Sequence, residues 1–241
     1  EGTIWSNLES PRDFVPASLT PDQIREINAY THIENELIDD AVGQVVAWLT
    51  ANNLIDQTDI FFTTDHGELQ GDFGLMFKGP YHVDALMRLP MIWQPARSAN
   101  LAPQTIQAPV GHVDLAKTFC HVAGIAPPSH CEGALMPVTN DEANAQDRQF
   151  QLTEWDSEHG TIDMHLKSLF HKDGWLITCY EPSHLYDGSE GELYNVNEDP
   201  DQITNLWGHP KHRETQQELK ALLYAALPAP RLPKLARVAP V

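Results

Sequence analysis

Apolar residues near the start of the chain recur at steps of three and four, and this pattern predicts one long amphipathic helix. The apolar stripe consists of Ile24, Ile27, Leu37, Ile38, Ala41, Val42, Val45, Val46 and Leu49. Thr20, Pro21 and Gln23 supply an N-cap, a proline in the first helical position and a capping box, and Asn52-Asn53 end the helix. The stripe is wide enough to cover a sheet, so we expect an exposed apolar face on this helix in the chain by itself.

The next segment, residues 59–64, reads Asp-Ile-Phe-Phe-Thr-Thr, which predicts a strand buried on both faces. Helix, short loop and buried strand together predict half of a parallel α/β unit. Further strands are predicted at 89–94 and near 106–110, and Asp114 is predicted to cap a short helix that stops at Gly124. These elements indicate an α/β fold.

Pro127-Pro128 and the polar run 139–144 mark a boundary, after which the pattern changes. Short antiparallel strands are predicted at 149–155, 166–170 and 175–180, with a turn at 172–174. A last amphipathic helix is predicted at 211–226. We therefore divide the chain into an α/β catalytic part, a subdomain with a small antiparallel sheet and a helix, and a Pro-rich tail, at residues 1–138, 139–227 and 228–241.

An Asp-His pair, Asp65-His66, directly follows the predicted strand at 59–64. Open α/β sheets carry their active sites at the carboxyl ends of strands, where the loop is exposed and the strand is fixed. A carboxylate next to an imidazole can bind a divalent metal, and Lys78 brings a cation one short loop later. A metal and a lysine together can hold a tetrahedral oxyanion such as a sulfate or phosphate ester.

The string from Asp65 to Lys78 resembles the second metal motif of the sulfatases, which belong to the alkaline-phosphatase-like superfamily. It contains Asp-His-Gly-Glu, then Gly-Asp-Phe-Gly-Leu, then a lysine thirteen residues after the aspartate. The resemblance continues through Arg88-Leu89-Pro90-Met91-Ile92-Trp93, His112-Val113-Asp114-Leu115-Ala116, Gly191-Glu192-Leu193-Tyr194-Asn195, Glu198-Asp199-Pro200 and Asn205-Leu206. These motifs occur in the same order as in the second half of a sulfatase, and together they cover nearly the whole chain. The fold that it implies is an alkaline-phosphatase-like sheet with flanking helices, present in part.

The nucleophile of this family is not found in the sequence. Sulfatases carry it early, as a Cys or Ser in a Cys/Ser-x-Pro-x-Arg signature that is oxidised to formylglycine. Cys120, Cys131 and Cys179 do not fit this signature, since the proline after Cys179 is one place late and no arginine follows it. The resemblance therefore predicts that this chain is the carboxy-terminal portion of a longer enzyme, inactive by itself, with the missing amino-terminal portion as its partner.

The resemblance implies roles for four residues. Asp65 and His66 would hold the metal, although His66 could contact the ester instead. Lys78 would bind the substrate and act in catalysis by neutralising the sulfuryl oxygens or the departing alcohol oxygen. His82 is predicted to orient the ester or protonate the leaving group, because imidazole titrates near neutral pH; the alternative is an exposed loop histidine. An oxygen-rich site favours Ca²⁺, and the imidazole leaves Mn²⁺ or Zn²⁺ open.

Composition narrows the class of partner. A chain of 241 residues with 41% hydrophobic content can bury a core, whereas a net charge of −19 argues against nucleic acid and anionic membranes, which need basic surfaces. No apolar run approaches the roughly 18–20 residues of a membrane span. Three widely spaced cysteines do not make a disulfide framework. No signal peptide is visible, so the compartment stays undetermined, as does a homo-oligomeric state.

We therefore predict a sulfatase-type hydrolase that acts on small-molecule or glycan sulfate esters. One alternative keeps the site and changes the ester, namely a phosphonate monoester or phosphodiester hydrolase, whose members favour histidine after the metal-binding aspartate. A second alternative is a non-catalytic binding remnant that retains the fold without the nucleophile. The coding sequence upstream of Glu1 would separate these possibilities.

Overall fold

The structure, a computed structural model, describes residues 15–16, 19–159 and 162–229. It begins with a short strand, β1 (Val15–Pro16), and a long helix, α1 (Pro21–Ala51). Thr20 Oγ1 accepts the backbone N–H of Gln23 at 3.3 Å, and Gln23 Oε1 accepts the backbone N–H of Thr20 at 2.9 Å. The predicted capping box is therefore confirmed, and so is the end of the helix at Asn52.

Helix α1 packs loosely on the rest of the chain. None of its residues is buried, and six large apolar side chains are between 48% and 64% exposed, namely Tyr30, Ile33, Leu37, Ile38, Val45 and Trp48. This confirms the expected apolar face in the chain by itself. No helix of the described residues combines the length and the apolar composition needed to cross a membrane.

The first part of the chain forms two small antiparallel sheets. Its remaining elements are β2 (Ile60–Thr63), β3 (Leu69–Gln70), β4 (Leu75–Phe77), α2 (Asp84–Met87) and β5 (Met91–Gln94). One sheet has the order β1-β4-β3, and in the other β2 pairs with β5, with Ile60 opposite Gln94 and Thr63 opposite Met91.

Three predictions for this part were wrong. The strand at 59–64 is not part of a parallel unit within the described residues, because β2 pairs with β5 in the antiparallel direction. All four residues of β2 are only half-buried, because within the described residues β2 has β5 as its one neighbour and no second layer covers both of its faces. No strand forms near 106–110. Pro109 has no N–H to donate to a ladder, and no described strand lies alongside this segment to pair with it.

Two short helices connect the two parts of the chain. Helix α3 (Leu115–Val122) is followed by Gly124 in the left-handed conformation, with φ of 67°, as predicted. Helix α4 (Asn140–Gln146) lies in the polar run that marks the predicted boundary. Thr139 accepts the backbone N–H of Glu142 at 3.1 Å, so the Thr-x-x-Glu capping pattern was the signal for this helix.

The second part of the chain is a four-stranded antiparallel sheet with a helix. Its strands, β6 (Phe150–His159), β7 (Ile162–His171), β8 (Trp175–Tyr180) and β9 (Gly191–Asn195), are paired in the order β6-β7-β8-β9. Helix α5 (Arg213–Ala226) follows. The predicted small sheet and last helix are confirmed, whereas the domain boundary at 138/139 stays a prediction. From residue 230 on, the predicted tail lies outside the described residues.

Both faces of this sheet are covered. Leu219 and Leu223 of α5 pack on one face, against Leu169, Ile177 and Leu193. On the other face, residues from the loop after β2 and from α2 pack against β7 and β8, forming the cluster Leu69, Tyr81, Val83, Leu86, Met164, Leu166, Tyr180 and Tyr186. The sheet is therefore the support on which the Asp65–Lys78 motif rests.

Candidate active site

Asp65 and His66 stand side by side at the end of β2. The Asp65 side chain is 85% exposed and the His66 side chain 37% exposed, and His66 Nε2 lies 3.3 Å from Asp65 Oδ2. His66 Nδ1 lies 2.9 Å from the carbonyl oxygen of Gly67. A ring whose Nδ1–H is held by a backbone carbonyl presents the Nε2 lone pair, which is the arrangement of a metal-binding histidine.

The surroundings of the Asp65 carboxyl group favour its charged form. The backbone N–H of His66 donates to Asp65 Oδ1 at 3.0 Å, and this hydrogen bond lowers the pKa of Asp65, with a smaller contribution from the charge of Lys78. An exposed, ionised carboxylate next to an available imidazole nitrogen suits a divalent cation. Both residues therefore fit a metal, as part of its ligand set.

The loop that carries this pair is fixed against α2. The backbone N–H of Gly67 donates to the carbonyl oxygen of Leu86 at 2.9 Å, and Thr64 Oγ1 donates to the carbonyl oxygen of His66 at 2.9 Å. A Cβ added at Gly67 would lie 1.9 Å from the carbonyl oxygen of Ala85. Glycine is thus required here by a close backbone approach, and the approach sets the position of Asp65 and His66.

Lys78 lies near His66 because both side chains approach the carboxylate of Glu68. Its Nζ lies 3.7 Å from Glu68 Oε1, and the same oxygen lies 3.8 Å from His66 Nδ1. Phe77, directly before the lysine, has a φ of 67°, which is unusual for a bulky residue and turns the chain sharply. The Lys78 side chain is more than half exposed. The structure therefore brings His66 and Lys78 together around the Glu68 carboxylate, with Asp65 next to His66.

His82 lies elsewhere. It is 5% exposed, and its Nδ1 is 2.6 Å from Ser168 Oγ on β7, which in turn donates to Thr178 Oγ1 on β8 at 2.7 Å. Burial lowers the pKa of His82 to about 4, with a further contribution from the charge of Lys167. The ring is therefore neutral near pH 7 and joins the motif segment to the sheet. The catalytic role of His82 stays a prediction, without support from this placement.

A buried ion pair that the sequence did not reveal supports the opposite side of the site. Asp114 is fully buried and accepts from Arg148 Nη2 at 2.7 Å, as well as from the backbone N–H groups of Gly111 and Ala134. Asp114 was predicted to cap α3, but its side chain makes no hydrogen bond to the first turn of that helix. Its carboxylate instead caps the 3₁₀ turn before α3, by accepting the backbone N–H of Gly111. Spacing along the sequence offered no signal for Arg148, because the pairing depends on where β6 begins.

Asp65, His66, Asp114 and Arg148 line one open cavity of about 910 Å³, together with residues of β6. This volume is in the range of small-molecule sites. Among residues 19–159 and 162–229, no group of three or more His, Cys, Asp or Glu side chains is placed to share a metal ion. Asp65 and His66 alone therefore supply too few ligands for the four to eight that divalent metals take in proteins.

Comparison with known proteins gives two family models and several relatives that match this chain. The family model described as Sulfatase matches residues 10–125, and the one described as N-sulphoglucosamine sulphohydrolase, C-terminal, matches residues 71–227. Arylsulfatase K of Xenopus laevis is 26% identical, over 91% of this chain and 43% of its own length. N-acetylglucosamine-6-O-sulfatase of Bacteroides thetaiotaomicron is 28% identical, over 77% of this chain and 33% of its own length.

A solved structure of a 2-O GAG sulfatase superposes with a TM-score of 0.75 at 22% identity, over 92% of this chain and 49% of that one. This likeness shows the fold: the matched part of the chain is folded like about half of that sulfatase. The chain spans less than half the length of the two curated relatives that it matches.

Proposed function

The chain belongs to the sulfatase family, and on that premise we propose that the whole protein hydrolyses sulfate esters with the help of a divalent metal. The observation that supports this most is the pairing of an ionised Asp65 with a His66 ring whose Nε2 faces it at 3.3 Å. Two such groups at the end of a strand, with Lys78 nearby, form one half of a site for a tetrahedral anion.

Each residue has a distinct task in this proposal. Asp65 and His66 Nε2 hold the metal, which when bound withdraws charge from the ester oxygens. Lys78 neutralises the sulfuryl oxygens or the departing alcohol oxygen, and Glu68 keeps its ammonium group near His66. Calcium is our first choice, because the carboxylate is a hard ligand; the imidazole nitrogen leaves Mn²⁺ and Zn²⁺ as alternatives.

We propose that the nucleophile, a formylglycine, and the remaining ligands come from a segment outside this sequence. Burial raises the pKa of the Cys179 thiol to about 11, so Cys179 is a poor nucleophile at neutral pH. None of the three cysteines stands in the signature expected for formylglycine. The 241-residue chain should consequently show no sulfatase turnover.

The test uses the complete protein, obtained by reading the coding sequence upstream of Glu1. We expect turnover of an aryl sulfate that a chelator abolishes and that calcium restores. The 241-residue chain, assayed in parallel, should be inactive. A complete protein that contains the Cys/Ser-x-Pro-x-Arg signature and still cleaves no sulfate ester would contradict the proposal.

A phosphonate monoester or phosphodiester hydrolase remains the second candidate, because His66 follows the metal-binding aspartate. The same preparation decides between the two, through the ratio of kcat/KM on an aryl sulfate to that on an aryl phosphonate. A ratio well above one supports the sulfatase, and the reverse ratio supports the second candidate.

A further inference from the structure

The outer half of the β6–β7 hairpin, residues 154–159 and 162–167, carries a histidine between two carboxylates. His165 of β7 has its Nδ1 2.9 Å from Asp156 Oδ1 on β6 and its Nε2 3.0 Å from Asp163 Oδ1. An ionised carboxylate only accepts hydrogen bonds, and a neutral imidazole has one N–H and one lone pair. Both contacts are therefore hydrogen bonds only when His165 is protonated on both nitrogens.

Asp163 extends this contact to the loop that follows β8. Its Oδ2 accepts the backbone N–H of His184 at 3.0 Å and lies 2.9 Å from His184 Nδ1. The backbone N–H of Glu181, at the start of the loop, donates to the carbonyl oxygen of His165 at 2.8 Å. Among the described residues, His184 meets a carboxylate at Nδ1 alone, so its neutral ring can satisfy that contact with an Nδ1–H. The two contacts of the His165 ring, in contrast, require the additional proton.

The charged groups that face His165 keep their ionisation near neutral pH. The backbone N–H and the ring of His184 donate to Asp163 and lower its pKa to about 2. Burial works against the charge of Asp156, but hydrogen bonds from Lys167 and His165 outweigh it and lower the pKa of Asp156. Burial also works against the charge of Lys167, whose hydrogen bonds to carboxylates outweigh it and raise its pKa. His165 thus titrates between two carboxylates that are already ionised.

The protonated form of His165 is favoured by this placement. Burial lowers the pKa of His165, but the hydrogen bonds to Asp156 and Asp163 outweigh burial and raise it above its usual value of about 6.5. Because the folded chain holds this proton more tightly than the unfolded chain, the contacts contribute fully below about pH 6.5. Their contribution is lost as the pH rises through the raised pKa. A neutral ring would direct one lone pair at a carboxylate oxygen, so one of the two contacts must then open.

The same network reaches the wall of the cavity. Lys167 Nζ lies 2.9 Å from Asp156 Oδ2 and 3.0 Å from Glu154 Oε1, and Glu154 lines the cavity of the candidate active site. Lys167 therefore holds these two carboxylates of β6 together, and His165 joins Asp156 to the far side of the hairpin. The strand that forms this wall is thus tied to the loop after β8 through Asp156.

We propose that His165 is a pH-sensitive clamp, whose protonated ring joins β6, through Asp156, to the loop at 181–186, through Asp163. Loss of the proton releases the loop from β6. The clamp is closed in acidic solution and opens in alkaline solution, so the cavity wall at Glu154 is held more firmly at acidic pH. It works independently of the reaction proposed above, since none of its residues belongs to the metal motif.

Two measurements on the 241-residue chain test the clamp. Titration of the imidazole resonances by NMR should give His165 a pKa above 6.5. Hydrogen exchange with mass spectrometry, corrected for intrinsic exchange rates, should be compared at about pH 5.5 and about pH 8.5. We expect about three- to tenfold less protection at the higher pH in segments 162–167 and 181–186, because one charge-assisted contact of the clamp is lost.

Three variants isolate His165 from other groups that titrate. His165→Gln removes the titrating ring and should abolish the pH difference in both segments. His165→Arg should keep the protection at the higher pH, because a guanidinium stays charged and can donate to two carboxylates. The matched control is His171→Gln on the same strand, where the ring contacts the carboxylate of Asp173 at 3.5 Å. This control should behave as the wild-type chain does.

The clamp is overturned by a pKa of His165 at or below 6.5, or by equal protection at both pH values in the wild-type chain. A pH difference that persists in folded His165→Gln belongs to another group and also overturns it. If His165→Gln does not fold, the wild-type titration and His165→Arg decide. Loss of protection at the higher pH in the arginine variant, as large as in the wild type, contradicts the clamp.

Discussion

In the proposed site, single residues divide the work between metal binding and charge neutralisation. Asp65 lies beside His66 Nε2, whereas Lys78, which follows β4, lies near His66 through its contact with Glu68. In this proposal the Asp65 carboxylate acts on the metal and the Lys78 ammonium group acts on the ester, although both residues lie within one short stretch of chain. Substituting them separately distinguishes their roles.

In the complete enzyme, Asp65→Ala should lower metal content and activity together, because it removes a charged ligand. Lys78→Ala should leave metal content unchanged and lower turnover about a hundred- to thousandfold, roughly 2.7–4 kcal/mol, the cost of one preorganised contact to an oxyanion. Elemental analysis and steady-state kinetics on the same preparations check both. The control is Lys211→Ala on the surface; full activity in Lys78→Ala would reject the assignment of the motif.

A second residue, Glu192 on β9, is buried in the sheet with one side-chain partner. It is 4% exposed, and Tyr180 Oη donates to its Oε1 at 2.6 Å. Burial raises the pKa of Glu192 to about 7. Because the folded state disfavours the charged form, the fold is most stable where Glu192 is protonated in both states, below its unfolded pKa of about 4.3.

Glu192→Gln should therefore remove part of the pH dependence of stability. In the wild-type chain, the free energy of unfolding should fall as pH rises from about 4.3 to 7, by on the order of 3 kcal/mol from this group. Denaturant titrations at several pH values measure the difference between variant and wild type, with the exposed Glu218→Gln as the control. Parallel pH profiles for Glu192→Gln and the wild type would rule out the buried carboxyl as the cause.

At the scale of elements, the site depends on how the loop after β2 docks on α2. Gly67 makes this docking possible, since any side chain there would collide with the carbonyl oxygen of Ala85. The same contact carries the hydrogen bond from Gly67 to Leu86, and Leu86 belongs to the cluster that packs on the sheet. A displaced loop would therefore move Asp65 and His66 without altering either side chain.

Gly67→Ala should lower metal affinity and destabilise the chain by about 1–3 kcal/mol, since the backbone must shift to avoid overpacking. The matched control is Gly43→Ala in α1, where a Cβ would meet nothing within 4 Å. That variant should gain about 0.5–1 kcal/mol through helix propensity. Thermal unfolding and metal titration check both variants, and equal behaviour of the two would show that the loop tolerates a shift.

At the scale of the whole molecule, the largest question is what covers the exposed apolar face of α1. The apolar face of α1 has no cover within the described residues, and Ile92 of β5 is also exposed. The chain spans less than half the length of the curated relatives that it matches. We propose that the corresponding amino-terminal portion of the sulfatase fold covers this face.

The 241-residue chain should bind a dye specific for exposed apolar surface, or self-associate, and this should diminish when Leu37, Val45 and Trp48 are replaced by Lys. Glu36→Lys, at an exposed polar position of the same helix, is the control. Fluorescence and light scattering measure both effects. A monodisperse wild-type chain that binds no dye would contradict the prediction.

The sequence by itself determined the features that depend on neighbouring residues. The bounds of α1 followed from Thr20, Gln23 and Asn52, because a capping box and a helix end are formed by groups within three or four positions of one another. The candidate metal motif was visible for the same reason, since Asp65, His66 and Lys78 lie close together in the sequence. The hydrophobic pattern likewise predicted the antiparallel sheet and the last helix.

Only the tertiary structure decided the features that join distant segments. His82 became a buried partner of Ser168, 86 positions away, and Asp114 paired with Arg148, 34 positions away. The predicted strand near 106–110 did not form, because a strand requires a neighbour and none of the described strands lies beside it. A local sequence pattern indicates which secondary structure a segment prefers. Burial and strand pairing depend on which distant segment packs against it, and the sequence of one segment does not contain that information.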